Sequence, residues 1–318
     1  MFEKLIPIIN GAEKIGIFAH IRPDGDAMGS SYGLKLALES AGKLCRVYFK
    51  DSPDEQAYSL VVKGEERDFS VSECDLLIAL DCADSKRLGD YEKEFLSHSN
   101  SIAIDHHITH VEYAKCGTVF CEISSTCELI YMLLEEMNIP VTKEIANNLY
   151  IGLVTDTGNF KYSGISGDTL RIAAALIDTG IDFAELAKVL FDTKPKEYYD
   201  LMKIALDKLK LICGGKGAVL YLADEDFEAA HIKESSANGI VNLPNSIAGV
   251  EVGVYIRQRS ENEYKVSLRS SRYIDVAEIA AGMGGGGHVR ASGYSVTGKT
   301  VDQIIGDLIK ELDGKWQD

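Results

Sequence analysis

The chain has no run of about 18 apolar residues, so the sequence offers no helical membrane span. Its first residues, Met1-Phe2-Glu3-Lys4-Leu5, lack the basic, apolar and small-residue order of a secretion signal. Cysteine is present seven times, an odd number, and never as Cys-x-x-Cys. That argues against a disulfide frame or a zinc ribbon and for a reducing, cytoplasmic location. Positive charge is scarce: 33 Lys and Arg against 49 Asp and Glu leave a net charge of −16. Such a chain is not built to coat long nucleic acid by bulk attraction. It suits a carboxylate-rich cation site, or a small anionic substrate held by a few local cations. Internal repeats and low-complexity segments are also missing.

What is present is 318 residues, enough for two domains with real cores. The first half alternates apolar strands, at 14–20, 45–49, 75–80 and 101–104, with helices at 27–41, 125–136 and 147–154. Ser125-Thr126-Cys127-Glu128 reads as a capping box opening the helix after it. Near-continuous apolar strands between helices predict a mostly parallel sheet covered by helices on both faces. Residues 166–191 read as helical, Thr193-Lys194-Pro195-Lys196 breaks the pattern, and a helix then runs to Gly214-Gly215. Beyond it the rhythm changes to strands at 218–221, 250–257 and 263–268, with helices at 276–281 and 301–312. The expected fold class is α/β. Residues 1–192 form the first domain, 193–213 a linker helix and 214–318 a smaller α/β C-terminal domain, with the active site in the cleft between them.

Polar residues gather where the apolar segments end. His20, Asp24 and Asp26 follow the first strand, Asp81 the third, and Asp105, His106 and His107 the fourth; Asp156 follows the apolar stretch 151–154. Ligands of parallel sheets bind outside the carboxyl ends of the strands, so these ends should converge. An Asp after a strand is commonly a helix N-cap, and a lone His is commonly a satisfied loop residue. Four ends carrying the same chemistry favour a site for two divalent cations. The mixed His and carboxylate set suits Mn²⁺ over Mg²⁺ or Ca²⁺, with zinc open. A second signal is the run Gly284-Gly285-Gly286-Gly287, followed by His288 and Arg290. Glycines let backbone N–H groups approach an anion, and Arg clamps phosphate with two bonds. Arg269, at the end of a strand, reads as a further substrate contact. Phe160 and Tyr162 are candidates for base stacking or for core packing.

These motifs strongly resemble those of the DHH phosphoesterases. The match lies in His20-x-x-x-Asp24-x-Asp26, Asp81, Asp105-His106-His107 and Asp156. The segment 284–293 resembles the glycine-rich signature of the DHH-associated domain. Length and layout most resemble the branch of bacterial oligoribonucleases (nanoRNases) and 3′-phosphoadenosine 5′-phosphate phosphatases. The resemblance implies a dimanganese site, with His20, Asp24 and Asp81 on one ion and Asp26, Asp81, His106 and Asp156 on the other, Asp81 bridging. It implies that His107 faces the substrate phosphate and that Asp105 orients a histidine. Gly285, Gly286, Gly287, His288, Arg290 and Arg269 would bind substrate. The implied partners are short RNA or DNA oligonucleotides or a nucleotide, with no membrane; a homodimer stays open. Asn238 stands where this group usually carries an acidic residue. Competing readings are a RecJ-type single-strand DNA exonuclease, a phosphodiesterase for cyclic or linear dinucleotides, a family II pyrophosphatase and a non-catalytic nucleotide-binding protein.

Overall fold

The computed structural model describes residues 1–53, 55–162, 164–237 and 239–316; Asn238 lies outside them. The chain divides into two units, Met1–Thr193 and Lys194–Asp318.

The first unit holds strands β1 (Lys14–Phe18), β2 (Leu44–Tyr48), β3 (Leu76–Leu80), β4 (Ser101–Asp105) and β5 (Cys116–Val119). All are parallel, in the order β2-β1-β3-β4-β5. Its helices are α1 (Leu5–Gly11), α2 (Gly25–Ser40), α3 (Glu55–Leu60), α4 (Glu92–Ser97), α5 (Thr126–Glu136), α6 (Lys143–Asp156), α7 (Gly167–Asp178) and α8 (Phe183–Ala187). Side chains alternate across a strand, so one apolar strand serves two cores. Ile17, Ile78, Leu80 and Ile104 pack with Met28 of α2, Leu133 of α5 and Leu149 of α6. Phe18, Leu77, Ala79 and Ala103 pack with Phe95 of α4 on the other face. Burying each Leu, Ile, Met or Phe side chain among them is worth about 1.5–3 kcal/mol.

Two expectations for this unit change. The helical stretch expected at 166–191 is broken in two: α7 stops at Asp178, Gly180 turns with φ +86°, and Asp182 caps a new helix by accepting from Glu185 N. Glycine at the left-handed position ends the first helix. Strand β5 went unseen because it is short, part-exposed and has no apolar run.

The second unit holds α9 (Lys196–Lys208), β6 (Lys210–Ile212), β7 (Gly217–Leu222), α10 (Asp224–Ala229), β8 (Val252–Ser260), β9 (Glu263–Ser270), α11 (Val276–Gly282), β10 (Gly286–His288), β11 (Ala291–Thr297) and α12 (Val301–Leu312). The sheet order is β10-β11-β9-β8-β7-β6; β7 and β8 run parallel and the other neighbours antiparallel. Ile279 of α11 and Leu308 of α12 pack on Val254 and Leu268. Leu201 and Ala205 of α9 pack with Leu220 and Leu222 of β7. The helix expected as a linker is therefore built into the second unit by its own apolar stripe.

Candidate metal centre

The strand order of the first sheet reverses between β1 and β3, which is where ligands collect in open parallel sheets. His20 lies just past β1, Asp81 just past β3, and Asp105 ends β4 with His106 and His107 after it. Asp81 has φ +54°, an uncommon conformation for a non-glycine residue, so its backbone is held against its preference. Asp24 caps α2, accepting at Oδ1 from Asp26 N and Ala27 N, both at 3.1 Å. Capping leaves Oδ2 for other work. Asp26 sits in the first turn of α2. Asp156 was grouped with the strand ends; it is the last residue of α6. The apolar segment before it is the helix expected at 147–154, buried against α2 and α5.

The structure brings these side chains together in three overlapping groups. His20, Asp24 and Asp81 form one, Asp26, His106 and Asp156 a second, and Asp81, His106 and His107 a third; within each, the donor atoms lie within 4.8 Å of one another. His20 Nε2 is 3.7 Å from Asp24 Oδ2 and 3.5 Å from Asp81 Oδ2. His106 Nε2 is 3.5 Å from Asp81 Oδ1, 3.9 Å from Asp26 Oδ2 and 3.3 Å from Asp156 Oδ2.

The histidine tautomers show what the cluster needs. His20 Nδ1 lies 2.8 Å from Ile21 O, and His106 Nδ1 lies 3.2 Å from Ile123 O. A carbonyl only accepts, so each Nδ1 carries the proton and donates. In the neutral ring each Nε2 lone pair then points at carboxylates. Lone pairs facing anions are repulsive unless a proton or a cation stands between them, and the donor set is that of a divalent-metal site.

The titration behaviour of the metal-free cluster follows. Burial alone would lower the His20 pKa, but Asp24 and Asp81 outweigh it and push it up to about 10. His106 behaves alike: burial opposes, and Asp81, Asp26 and Asp156 raise it to about 10. Burial and the neighbouring Asp81 and Asp156 push Asp26 well up. Burial raises Asp156 to about 7 against the pull of His106. Asp81 is held below the usual carboxylate range, because hydrogen bonds from His106 and His20 overcome its burial.

Asp105 is buried and belongs to none of the three groups, but it holds a member of the third. Its Oδ1 lies 2.7 Å from His107 Nδ1 and its Oδ2 2.6 Å from His110 Nδ1. Burial would raise its pKa, but these histidines hold it near 2. The bond to Asp105 in turn raises the His107 pKa.

Three participants were not foreseen. His110 is the second histidine on Asp105. Thr126 N and Cys127 N, at the start of α5, donate to Asp26 at 2.6 and 2.9 Å, and Thr126 Oγ1 donates to Asp81 Oδ1 at 3.1 Å. A helix start facing a carboxylate is a favourable charge–dipole arrangement. The cap at Ser125 signalled that start, but nothing in the residue types said which anion it would face. Phe160 packs partly buried against the main core, whereas Tyr162 is exposed.

In the second unit the glycine run is a tight hairpin. Gly286 pairs with Gly293, Gly287 with Ser292 and His288 with Ala291. A Cβ on Gly285 would lie 2.2 Å from Gly293 O, and one on Gly287 2.6 Å from Ala291 O. Gly285 N donates to Ala280 O at 2.8 Å, so that N–H closes α11. The glycines at 285 and 287 thus serve close backbone packing, with Gly286 and His288 exposed. Arg290 Nη1 donates to Ile274 O at 2.7 Å and to Ser270 Oγ at 3.2 Å. Arg269 Nε donates to Asn242 Oδ1 at 3.2 Å, and Arg269 shares a cavity of about 240 Å³ with Arg257, Arg259 and Lys265.

Among the described residues no helix is long and apolar enough to cross a membrane. The profile of the DHH family, N-terminal domain, matches residues 14–153, and that of the DHHA1 domain matches residues 214–314. A Thermus thermophilus protein named bifunctional oligoribonuclease and PAP phosphatase NrnA is 34% identical, over 94% of this chain and 89% of its own. The Bacillus subtilis protein of the same name is 28% identical over 97% of both chains. Of the solved structures, an exopolyphosphatase-related protein from Bacteroides fragilis superposes with a TM-score of 0.88 at 27% identity, covering 96% of this chain and 94% of that one. RecJ from Thermus thermophilus in complex with Mn²⁺ shares the fold, with a TM-score of 0.56 at 15% identity over 99% of this chain and 54% of its own. Sequence and fold agree with the chemistry of the donor cluster: the chain is a hydrolase belonging to the DHH phosphoesterase family, which uses divalent metal ions.

Proposed function

We propose that this chain is a manganese-dependent phosphoesterase that hydrolyses very short oligonucleotides to nucleoside monophosphates, and 3′-phosphoadenosine 5′-phosphate to AMP and phosphate. The observation that carries the reading is Asp81, which belongs to two of the three donor groups at the carboxyl edge of the sheet. The relatives named for both activities support the substrate class. Seven free thiols support a reducing, cytoplasmic setting.

His20, Asp24 and Asp81 would hold one ion, and Asp26, Asp81, His106 and Asp156 the other. Bound there, two divalent cations lower the pKa of water toward neutrality and neutralise phosphate charge. The chain's own groups do the rest. The N-terminal N–H groups of α5 aim Asp26 and favour its ionised form against the burial that opposes it. Asp105 anchors His107 through Nδ1, which leaves Nε2 to donate a proton to a phosphoryl or leaving oxygen. In the second unit we assign Arg269, His288 and Arg290, with Gly285, Gly286 and Gly287 shaping the hairpin, to the substrate. The cations around Arg269 support this in a chain that is otherwise strongly acidic.

The test is product formation with Mn²⁺ from three substrates side by side: a 5′-labelled RNA dinucleotide, a longer single-stranded DNA and cyclic di-AMP. Rapid cleavage of the dinucleotide with little attack on the others is expected, and phosphoadenosine phosphate follows. Preferred cleavage of the long DNA or the cyclic compound would overturn the substrate assignment.

A further inference from the structure

The first unit contains a cavity of about 390 Å³ beside strand β2 that none of the metal-centre donors lines. Its size falls in the range of small-ligand pockets, roughly 300–1,000 Å³. Five cationic side chains line it against two carboxylates, in a chain whose net charge is −16. Several of those cations are only loosely engaged. Arg46 pairs with Asp68, Lys50 with Asp90 and Arg67 with Glu65, and each of these acids is exposed. Exposed pairs are weak and yield to a competing anion. Lys63 has no carboxylate partner among the described residues; its ammonium lies 3.6 Å over the Tyr58 ring. The Nε of Arg67 is buried and has no hydrogen-bond partner.

The remaining wall is aromatic. Tyr32 and Phe49 meet edge to face at 5.9 Å, and the Tyr32 and Tyr58 hydroxyls are 3.2 Å apart. Cations beside aromatic faces recognise a molecule that carries both a phosphate and a flat ring. We propose that this cavity binds a free nucleoside monophosphate, its phosphate on Lys63 and Arg67 and its base against the aromatic wall. Asp51, on the same wall, accepts a hydrogen bond from Arg22 N at 3.0 Å. Arg22 has φ +54° and stands between His20 and Asp24, which both belong to the donor cluster. One hydrogen bond thus joins the lining of this cavity to the metal loop. The binding does not rest on the hydrolytic reading above.

The test is calorimetric titration of 5′-AMP into the full-length protein in EDTA, with adenosine and inorganic phosphate as separate probes. The variants are Lys63→Ala, Arg67→Ala and the double Lys63→Glu/Arg67→Glu, each checked by thermal melting. Arg269→Ala serves as the control in the second unit. AMP is expected to bind more tightly than either probe, about tenfold or more weakly in each alanine variant, and unchanged in Arg269→Ala. Lys63→Ala and Arg67→Ala keep dinucleotide hydrolysis with Mn²⁺. No AMP binding by the unsubstituted protein overturns the proposal. So does equal binding by a folded double variant, or phosphate binding as tightly as AMP. If the dinucleotide is not cleaved while AMP binding follows the expected pattern, the hydrolytic reading fails and the site stands.

Discussion

Gly152 of α6 lies so close to Asp26 of α2 that a Cβ added to it would sit 2.8 Å from Asp26 Oδ1 and 2.2 Å from Cys127 Sγ. Glycine in a helix interior costs about 0.5–1 kcal/mol relative to alanine. Here it lets α6 approach the carboxylate and the start of α5 that holds it. Gly152→Ala should therefore destabilise the protein, by about 1–3 kcal/mol, despite the gain in helix propensity. It should also weaken Mn²⁺ binding, roughly tenfold or more, because Asp26 must shift. Thermal melting and a metal titration measure the two effects. Adding Cys127→Ala, which removes the nearest obstacle, should recover part of both; an unaltered Gly152→Ala protein would refute the close approach.

Asp81 is the residue whose loss reaches furthest. It faces His20 through one oxygen and His106 and Thr126 through the other. Asp81→Ala should leave a folded protein, because the sheet beneath it is held by apolar burial. Hydrolysis should fall by roughly 10²- to 10³-fold or more. Circular dichroism checks the fold and dinucleotide cleavage the activity. Retained activity at added Mn²⁺ would count against Asp81 serving both ions.

The parts of this molecule legible in the sequence are those whose signal is local. Leu76–Leu80 and Ser101–Asp105 are short, fully buried runs, and buried strands look like that in any context. His20, Asp81 and His106 were readable as a group because the ends of parallel strands share one edge. The helix expected at 147–154 is there, but it starts at Lys143 and carries Asp156 on its last turn, so Asp156 comes to the cluster from a helix end. Thr126 and Cys127 act through backbone N–H groups, which every non-proline residue has, so no residue type announces them. The glycine run was read as an anion cradle because glycine permits that. Only the pairing of β10 with β11 shows Gly285 and Gly287 accommodating neighbouring backbone.

His107 belongs to a donor group with Asp81 and His106, yet its Nδ1 is committed to Asp105 at 2.7 Å and stands 3.5 Å from Asp81. Proton donation to substrate and metal ligation make different demands on the ring. For a residue that acts on the substrate, His107→Ala should lower kcat by about 10²- to 10⁴-fold and leave Mn²⁺ affinity unchanged. A ligand would show the reverse order, with metal affinity lost first. Asp105→Asn, which removes the charge anchoring both His107 and His110, should cost about 10- to 100-fold in rate. Steady-state kinetics at saturating metal, beside a metal titration, separates the cases.

Metal binding should release protons. In the metal-free fold His20 and His106 titrate at about 10 rather than the ordinary 6.5, so near pH 7.5 both are protonated. A cation needs the Nε2 lone pairs and must displace those protons, so apparent affinity rises with pH. The sign for stability is opposite. A pKa raised on folding contributes stability that is complete below the unfolded value and lost as pH climbs through the folded one. For the two histidines that window runs from about 6.5 to about 10. Asp156, raised from 3.8 to about 7, adds a loss of the same sign at lower pH. In EDTA the melting temperature should therefore fall as pH rises from 6.5 to 10, and saturating Mn²⁺ should flatten or reverse that slope. Titrating Mn²⁺ calorimetrically in two buffers of different ionisation enthalpy counts the protons directly. Identical apparent enthalpies in both buffers would mean that none is released, and the two histidines would then be neutral in the metal-free protein.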